Sequence, residues 1–169
     1  MIYLDMDEVL AAFCQHTNDL GIPFNHQWHD PRETWTPETW EGERIKTKAM
    51  HTPGFWYAIP VMPGAKELWE LAHALDEVSI LTAKPQDNSP AFIGPEKLQW
   101  IRDYLGPLDD SRFVCCTRLE KVHYAPGNVL VDDDPRTCQS WKDAGGQAVR
   151  YLNAEQAMKS LTNLVGLDV

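Results

Sequence analysis

The 169-residue sequence predicts an α/β fold, a parallel sheet with helices on both faces. Three observations predict it. Short apolar runs of strand length alternate with longer stretches at helical spacing. The runs end on polar residues: Asp5, Thr82, Thr117 and Asp132. In a parallel sheet these ends fall on one edge, where folds of this kind bind their ligands.

Ile2-Tyr3-Leu4 reads as a buried strand that delivers Asp5, and the apolar run Val9 to Phe13 predicts the start of a helix. From Cys14 to Pro63 the texture changes to Trp, His, Pro and Thr with broken periodicity, which predicts a small, mostly helical insertion. Within it, Thr36-Pro37-Glu38-Thr39 reads as a helix start, with Thr36 as N-cap and Pro37 in the first turn. The predicted organisation is therefore a core of residues 1–13 and 64–169 with an insertion over 14–63.

Beyond Pro63-Gly64, Leu68, Leu71, Ala72 and Leu75 recur at helical spacing. Val78 to Leu81 predicts a second strand ending at Thr82. Gln86 to Gly94 reads as a Pro-rich loop, and Pro95 to Leu105 as a helix with Leu98, Ile101 and Leu105 on one face. Phe113 to Cys116 and Val129 to Val131 predict two more strands. Pro135 opens a helix that Gly145-Gly146 ends. A strand over Ala148 to Tyr151 and a helix over Ala154 to Leu164 complete the chain.

The net charge of −10 argues against a nucleic-acid polymer or an anionic membrane as partner, since both need basic surfaces. No stretch approaches the length of a membrane span, and no export signal is visible. Cys14, Cys115, Cys116 and Cys138 show no CxxC spacing, so free thiols in a reducing cytoplasm are expected, with Cys115-Cys116 buried. His16, His26, His29 and His51 do not make a zinc set and read as loop histidines.

The chemistry concentrates in acids. Asp5 and Asp7 repel each other unless a cation or a shared proton relieves them. Asp-x-Asp alone reads rather as a solvated turn or a helix N-cap. A second pair, Asp132-Asp133, after another predicted strand favours a site for Mg2+, which takes oxygen ligands. Thr82 could hydrogen-bond a phosphoryl oxygen or simply cap a turn. Lys121 could neutralise phosphate charge or lie on the surface. Asp134 before Pro135 reads as a helix N-cap.

These residues, in this order, resemble the four motifs of the haloacid dehalogenase-like superfamily, a Rossmann-like core with a cap inserted after the first motif. The resemblance extends to its 5'(3')-deoxyribonucleotidases. Asp5 to Phe13 is similar to their DMDGVLADF opening, and Pro53-Gly54-Phe55-Trp56 with Pro60 to Ala65 to their PGFF…P-x-PGA segment. Glu96-Lys97-Leu98-Gln99-Trp100 resembles their EK-x-x-W. Thr117-Arg118 with Lys121, and Leu130 to Asp133, resemble TR-x-K…LIDD.

The resemblance implies a magnesium-dependent phosphomonoesterase acting on a small-molecule phosphate ester, a (deoxy)nucleoside monophosphate. Asp5 would be the nucleophile and Asp7 the acid-base. Asp5, the Asp7 backbone carbonyl and Asp132 or Asp133 would hold Mg2+, and Thr82 and Lys121 would grip the phosphoryl oxygens. Residues 14–63 would form the cap, with Phe13, Phe55 and Trp56 either walling the base pocket or packing as cap core. Ala83 and Lys84 replace the family's Ser and Pro after Thr82, and Lys84 could add a phosphate contact. Lys97 would be a second phosphate lysine or a helix-surface charge. Glu8 stands where the family has Gly, beside the phosphate or turned away from it. Turnover of a different phosphorylated metabolite, and a non-catalytic binding protein on the same scaffold, remain as alternatives, and homodimer formation is left open.

Overall fold

The computed structural model describes residues 1–22, 32–85 and 88–166. Five parallel strands form one sheet in the order β3-β2-β1-β4-β5. They are β1 (Ile2–Leu4), β2 (Val78–Ala83), β3 (Phe113–Cys116), β4 (Val129–Asp132) and β5 (Gln147–Arg150). The predicted α/β class is observed. The strand order reverses between β1 and β4, and ligand crevices form at such a switch point.

Alternation along the strands builds two cores. Ile2, Leu4, Val78, Ile80, Val129, Val131 and Val149 share one core with α3 (Ala65–Leu75), α4 (Ile93–Tyr104) and α6 (Ala154–Val165). Tyr3, Leu81 and Leu130 point the other way and pack with Trp141 of α5 (Pro135–Asp143). The helices are punctuated as the residues dictate. Asp134 Oδ1 accepts from the Arg136 N–H at 2.9 Å and Asn153 Oδ1 from the Gln156 N–H at 2.9 Å, capping α5 and α6. Gly64 precedes α3 at φ +79°, where any Cβ would collide with Ala154 of α6.

Between β1 and α3 the chain carries α1 (Phe13–Asp19), a 3-10 turn (Arg32–Thr34) and α2 (Pro37–Met50). The predicted Thr36 cap is present, its hydroxyl accepting from the Thr39 N–H at 3.2 Å. The return segment docks on α4 through two residues of the EK-x-x-W motif, Glu96 and Trp100, and through Asp103. Gly54 N–H donates to Glu96 Oε1 at 2.7 Å, Trp100 Nε1 to the Ile59 carbonyl at 2.7 Å, and Tyr57 OH to Asp103 Oδ2 at 2.7 Å.

Several local expectations are corrected. Val9 to Ala12 is not helical: Leu10 and Ala11 N–H both donate to the Met6 carbonyl, and Ala11 bridges to Val61, so the run is buried as a tight loop and α1 begins at Phe13. α4 begins at Ile93, because Pro95 within a first turn forfeits no helical hydrogen bond. The predicted face is present, with Ile101 and Leu105 buried and Leu98 half-buried against the core, and it is wider than predicted, since Ile93, Lys97 and Trp100 are buried too. β2 runs one residue further, to Ala83. Cys115 is half-buried rather than buried, whereas Cys116 is buried; all four thiols are free. His16 lies buried in α1 against the Phe55 ring, and His51 caps the end of α2; His26 and His29 lie outside the described residues. Among the described residues, no helix is long and apolar enough to cross a membrane.

Candidate active site

The parallel register sets Leu4 beside both Ile80 and Val131, so Asp5 emerges level with Asp132 at the carboxyl edge of the sheet. The Asp5 N–H is held by the Val131 carbonyl at 2.9 Å. Carboxylate oxygens of Asp5, Asp132 and Asp133 lie within 4.8 Å of one another. Lys121 comes from the 3-10 helix Arg118–Tyr124, which Thr117 and Glu120 start with a reciprocal capping box. Its buried ammonium sits 3.0 Å from Asp5 Oδ1 and 2.8 Å from Asp132 Oδ2.

A second lysine completes the floor. Lys97 is fully buried, and its Nζ donates to Asp7 Oδ2 and Thr82 Oγ1 at 2.8 Å each and to the Ala83 carbonyl at 2.9 Å. Three donors serve three acceptors, so the ammonium is saturated by protein, and it also lies 4.1 Å from the Trp56 ring centroid. The helix-surface alternative for Lys97 is therefore excluded. The sequence held a signal for this: Lys97 occupies the apolar stripe of α4, four residues after Ile93 and four before Ile101.

The electrostatics follow from burial. Five carboxylates, Asp5, Asp7, Glu8, Asp132 and Asp133, meet two ammoniums, Lys97 and Lys121. Burial, then Asp5 and Asp132, then Glu8 push Asp133 up to about 8. Burial and Asp5 push Asp132 up to about 6 against the pull of Lys121. Burial raises Asp7 too, opposed by Lys97 and reinforced by Asp5. Burial works against the charge on Lys121, but Asp5 and Asp132 outweigh it and its pKa is raised. Asp133 has no hydrogen bond or ion pair among the described residues, and Asp7 Oδ1 is buried without a partner. An all-oxygen cluster with excess negative charge and a carboxylate lacking a protein partner fits a hard divalent cation. The Asp7 side chain stands outside that cluster, its Oδ2 held by Lys97.

Above this floor opens a cavity of about 760 Å³, walled in part by Phe13, Trp56, Ala83 and Lys84. The Phe13 and Trp56 rings stack at 5.8 Å and 26°. Phe55 is buried behind them, edge-on to both, and supports the wall from its core side. Trp56 is pinned by its Nε1–H to the Met50 carbonyl at 2.9 Å. At the rim, Asp134 bridges Arg118 at 3.0 Å and Arg136 at 3.1 Å.

Glu8 was missed as a structural element. Its φ of +59° is the only positive value at a non-glycine residue among the described residues, a conformation that costs an L-residue about 1–3 kcal/mol. Its Oε1 accepts the Cys14 N–H at 2.6 Å. Half-buried at the edge of the cavity, the carboxylate is thus tied to the first turn of α1.

No protein-family model matches the chain. Over 142 residues the chain is 31% identical to a Staphylococcus aureus protein named "Putative 5'(3')-deoxyribonucleotidase", covering 80% of this chain and 74% of that one. A haloacid dehalogenase-superfamily hydrolase from Ehrlichia chaffeensis superposes with a TM-score of 0.53 at 13% identity, over 97% of this chain and 96% of that one. A haloacid dehalogenase-like family protein from Streptococcus pneumoniae does so at 0.51 and 13%, over 94% and 89%. With a hydrolase's carboxylate floor in place beneath an aromatic-walled cavity, the chain belongs to the 5'(3')-deoxyribonucleotidase family and has the haloacid dehalogenase-like fold.

Proposed function

We propose that the protein is a magnesium-dependent phosphomonoesterase that hydrolyses (deoxy)nucleoside monophosphates through a phosphorylated Asp5. The observation that carries this reading is the split of the two acids. Asp5 is paired with Lys121, as an ionised nucleophile requires, while Asp7 two residues on is held by Lys97.

In the first half-reaction an Asp5 carboxylate oxygen attacks phosphorus and the ester oxygen leaves, taking a proton from Asp7. In the second, Asp7 takes a proton from water, the water oxygen attacks phosphorus, and phosphate departs with Asp5 restored. Burial raises the Asp7 pKa, which favours holding a proton for the first step, and Lys97 opposes that rise, which favours its release. Mg2+, held by Asp5, the Asp7 carbonyl and Asp132 or Asp133, would offset phosphoryl charge. Lys121 would neutralise the same oxygens. Thr82 is fully buried, its hydroxyl accepting from Lys97; it would keep its own proton for a phosphoryl oxygen.

Residues 14–63 would act as the cap that closes over the leaving group. Phe13 would stack on the base, braced from behind by the buried rings of Trp56 and Phe55; stacking is tolerant of base identity. Ala83 and Lys84 would line the phosphate side of the cavity. The relatives' names support the nucleotide class.

Phosphate release from a panel of nucleoside monophosphates and sugar phosphates, in Mg2+ and then in EDTA, tests the proposal. Turnover of nucleotides that stops in EDTA and in Asp5→Asn is expected. Release surviving Asp5→Asn sinks the nucleophile, and turnover confined to sugar phosphates sinks the nucleotide.

A further inference from the structure

Ala12, at the N-cap of α1, has no side chain to hold a first-turn amide. Glu8 supplies one from outside the helix: its Oε1 accepts the Cys14 N–H at 2.6 Å, a charge-assisted bond. The same residue's N–H donates to the Ala11 carbonyl at 2.8 Å, so the loop that carries Asp5 and Asp7 is closed on itself and tied to α1. The residue between Ala12 and Cys14 is Phe13, whose ring stacks on Trp56 in the cavity wall. Glu8 holds this link from a left-handed backbone that glycine would occupy without strain.

We infer that Glu8 is a positioning residue for the leaving-group pocket, its carboxylate fixing Phe13 against Trp56 by tying the first turn of α1 to the nucleophile loop. A strained residue persists where the surroundings determine it, and here the determinant is a hydrogen bond six residues along the chain. Glu8 makes no hydrogen bond to Asp5 or to the cluster of Asp132 and Asp133; its charge reaches Asp133 through space, an effect lost alike in all three variants below, whereas the tether acts through Phe13. The Cys14 thiol registers the same contact: burial and then the Glu8 carboxylate push it up to about 12. The inference rests on the nucleotide reading for its kinetic consequence but not for the tether.

Glu8→Gly removes the tether and the strain together, Glu8→Ala removes only the tether, and Glu8→Gln keeps a neutral acceptor. Amide hydrogen exchange at Cys14 reads the tether without catalysis. Exchange roughly tenfold faster in Glu8→Gly and Glu8→Ala is expected, with protection largely restored in Glu8→Gln. For a nucleoside monophosphate, KM rises roughly five- to tenfold in Glu8→Gly with kcat changed by less than about threefold. For ribose 5-phosphate, which has no base to stack, KM is unchanged. Equal KM effects on the two substrates, or Cys14 exchange unaltered in Glu8→Gly, overturn the inference. If the wild-type protein turns over no nucleotide, the proposed substrate fails and Cys14 exchange alone decides the tether.

Discussion

Lys97 Nζ donates to Asp7 Oδ2 at 2.8 Å across 90 residues of sequence, and the ammonium is entirely buried. Charge is placed there at a cost in desolvation, so the pair is better explained by what it does to Asp7 than by stability. Lys97→Met leaves Asp7 without its countercharge and two more acceptors, Thr82 Oγ1 and the Ala83 carbonyl, without a donor. The expected outcomes are a loss of roughly 3 kcal/mol in urea unfolding and a kcat lower by roughly 10²- to 10³-fold. The kcat loss is smaller for p-nitrophenyl phosphate than for a nucleotide, since a nitrophenolate leaves without a proton. Equal losses on the two substrates would remove Lys97 from the acid-base step.

Asp5 is the largest charged contributor to the raised pKa of both Asp132 and Asp133. Asp5→Asn lowers the excess of negative charge in the floor while leaving Asp132 paired with Lys121. The variant releases no phosphate, yet its metal-free form melts about 2–4 °C higher, the shift that about 1 kcal/mol produces in a chain of this size. Melting curves in EDTA check this. A lower melting temperature would show that the Asp5–Lys121 pair outweighs the repulsion.

The edge of the site was legible because parallel strands convert sequence position into spatial position. Asp5 and Asp132 each follow an apolar run, and the register of β1 on β4 does the rest. Thr36 and Asp134 were legible for a local reason: an N-cap acts within three residues. Lys97 was legible only in part: its place on the apolar stripe of α4 signals burial, but its role depends on acceptors 14, 15 and 90 residues away. The non-helical course of Val9 to Ala12 was not legible, since the bridge from Ala11 to Val61 is a long-range contact that overrides local preference. Glu8 gave a hint only through the glycine that the resemblance placed there.

Asp134 does two jobs, capping α5 and bridging Arg118 with Arg136. Burial opposes its charge, but the hydrogen bonds from Arg136 and Arg118 prevail and hold its pKa below the usual carboxylate range. A depressed folded pKa contributes stability that is present above the unfolded value of 3.8 and is lost as pH falls below it. Asp134→Ala is expected to cost about 1 kcal/mol at pH 7, mainly from the cap, because the arginines are half-exposed and their pairing contributes little. Urea unfolding at pH 7 and at pH 3 checks both parts. The difference between wild type and variant shrinks at the lower pH; a constant difference would mean that the carboxylate charge is irrelevant.

Asp133 would give the proposed cation site its own pH signature. Its pKa, pushed up to about 8 from 3.8, makes the folded metal-free protein bind a proton that the unfolded chain has released. Asp132, pushed up to about 6, acts in the same direction. Where the folded state holds more protons, stability falls as pH rises. The metal-free protein is therefore most stable below about pH 4 as far as these two groups are concerned, and loses that contribution progressively up to about pH 8. A divalent cation replaces the protons, so it binds more tightly as pH rises toward 8 and releases protons on binding. Melting temperatures in EDTA at pH 5, 7 and 9 should decline more steeply than those in millimolar Mg2+. Titration of Mg2+ at pH 7 in two buffers of different ionisation enthalpy should show uptake of protons by the buffer. Identical pH slopes with and without Mg2+, together with no proton release, would mean that the carboxylates of Asp132 and Asp133 do not take up the ion.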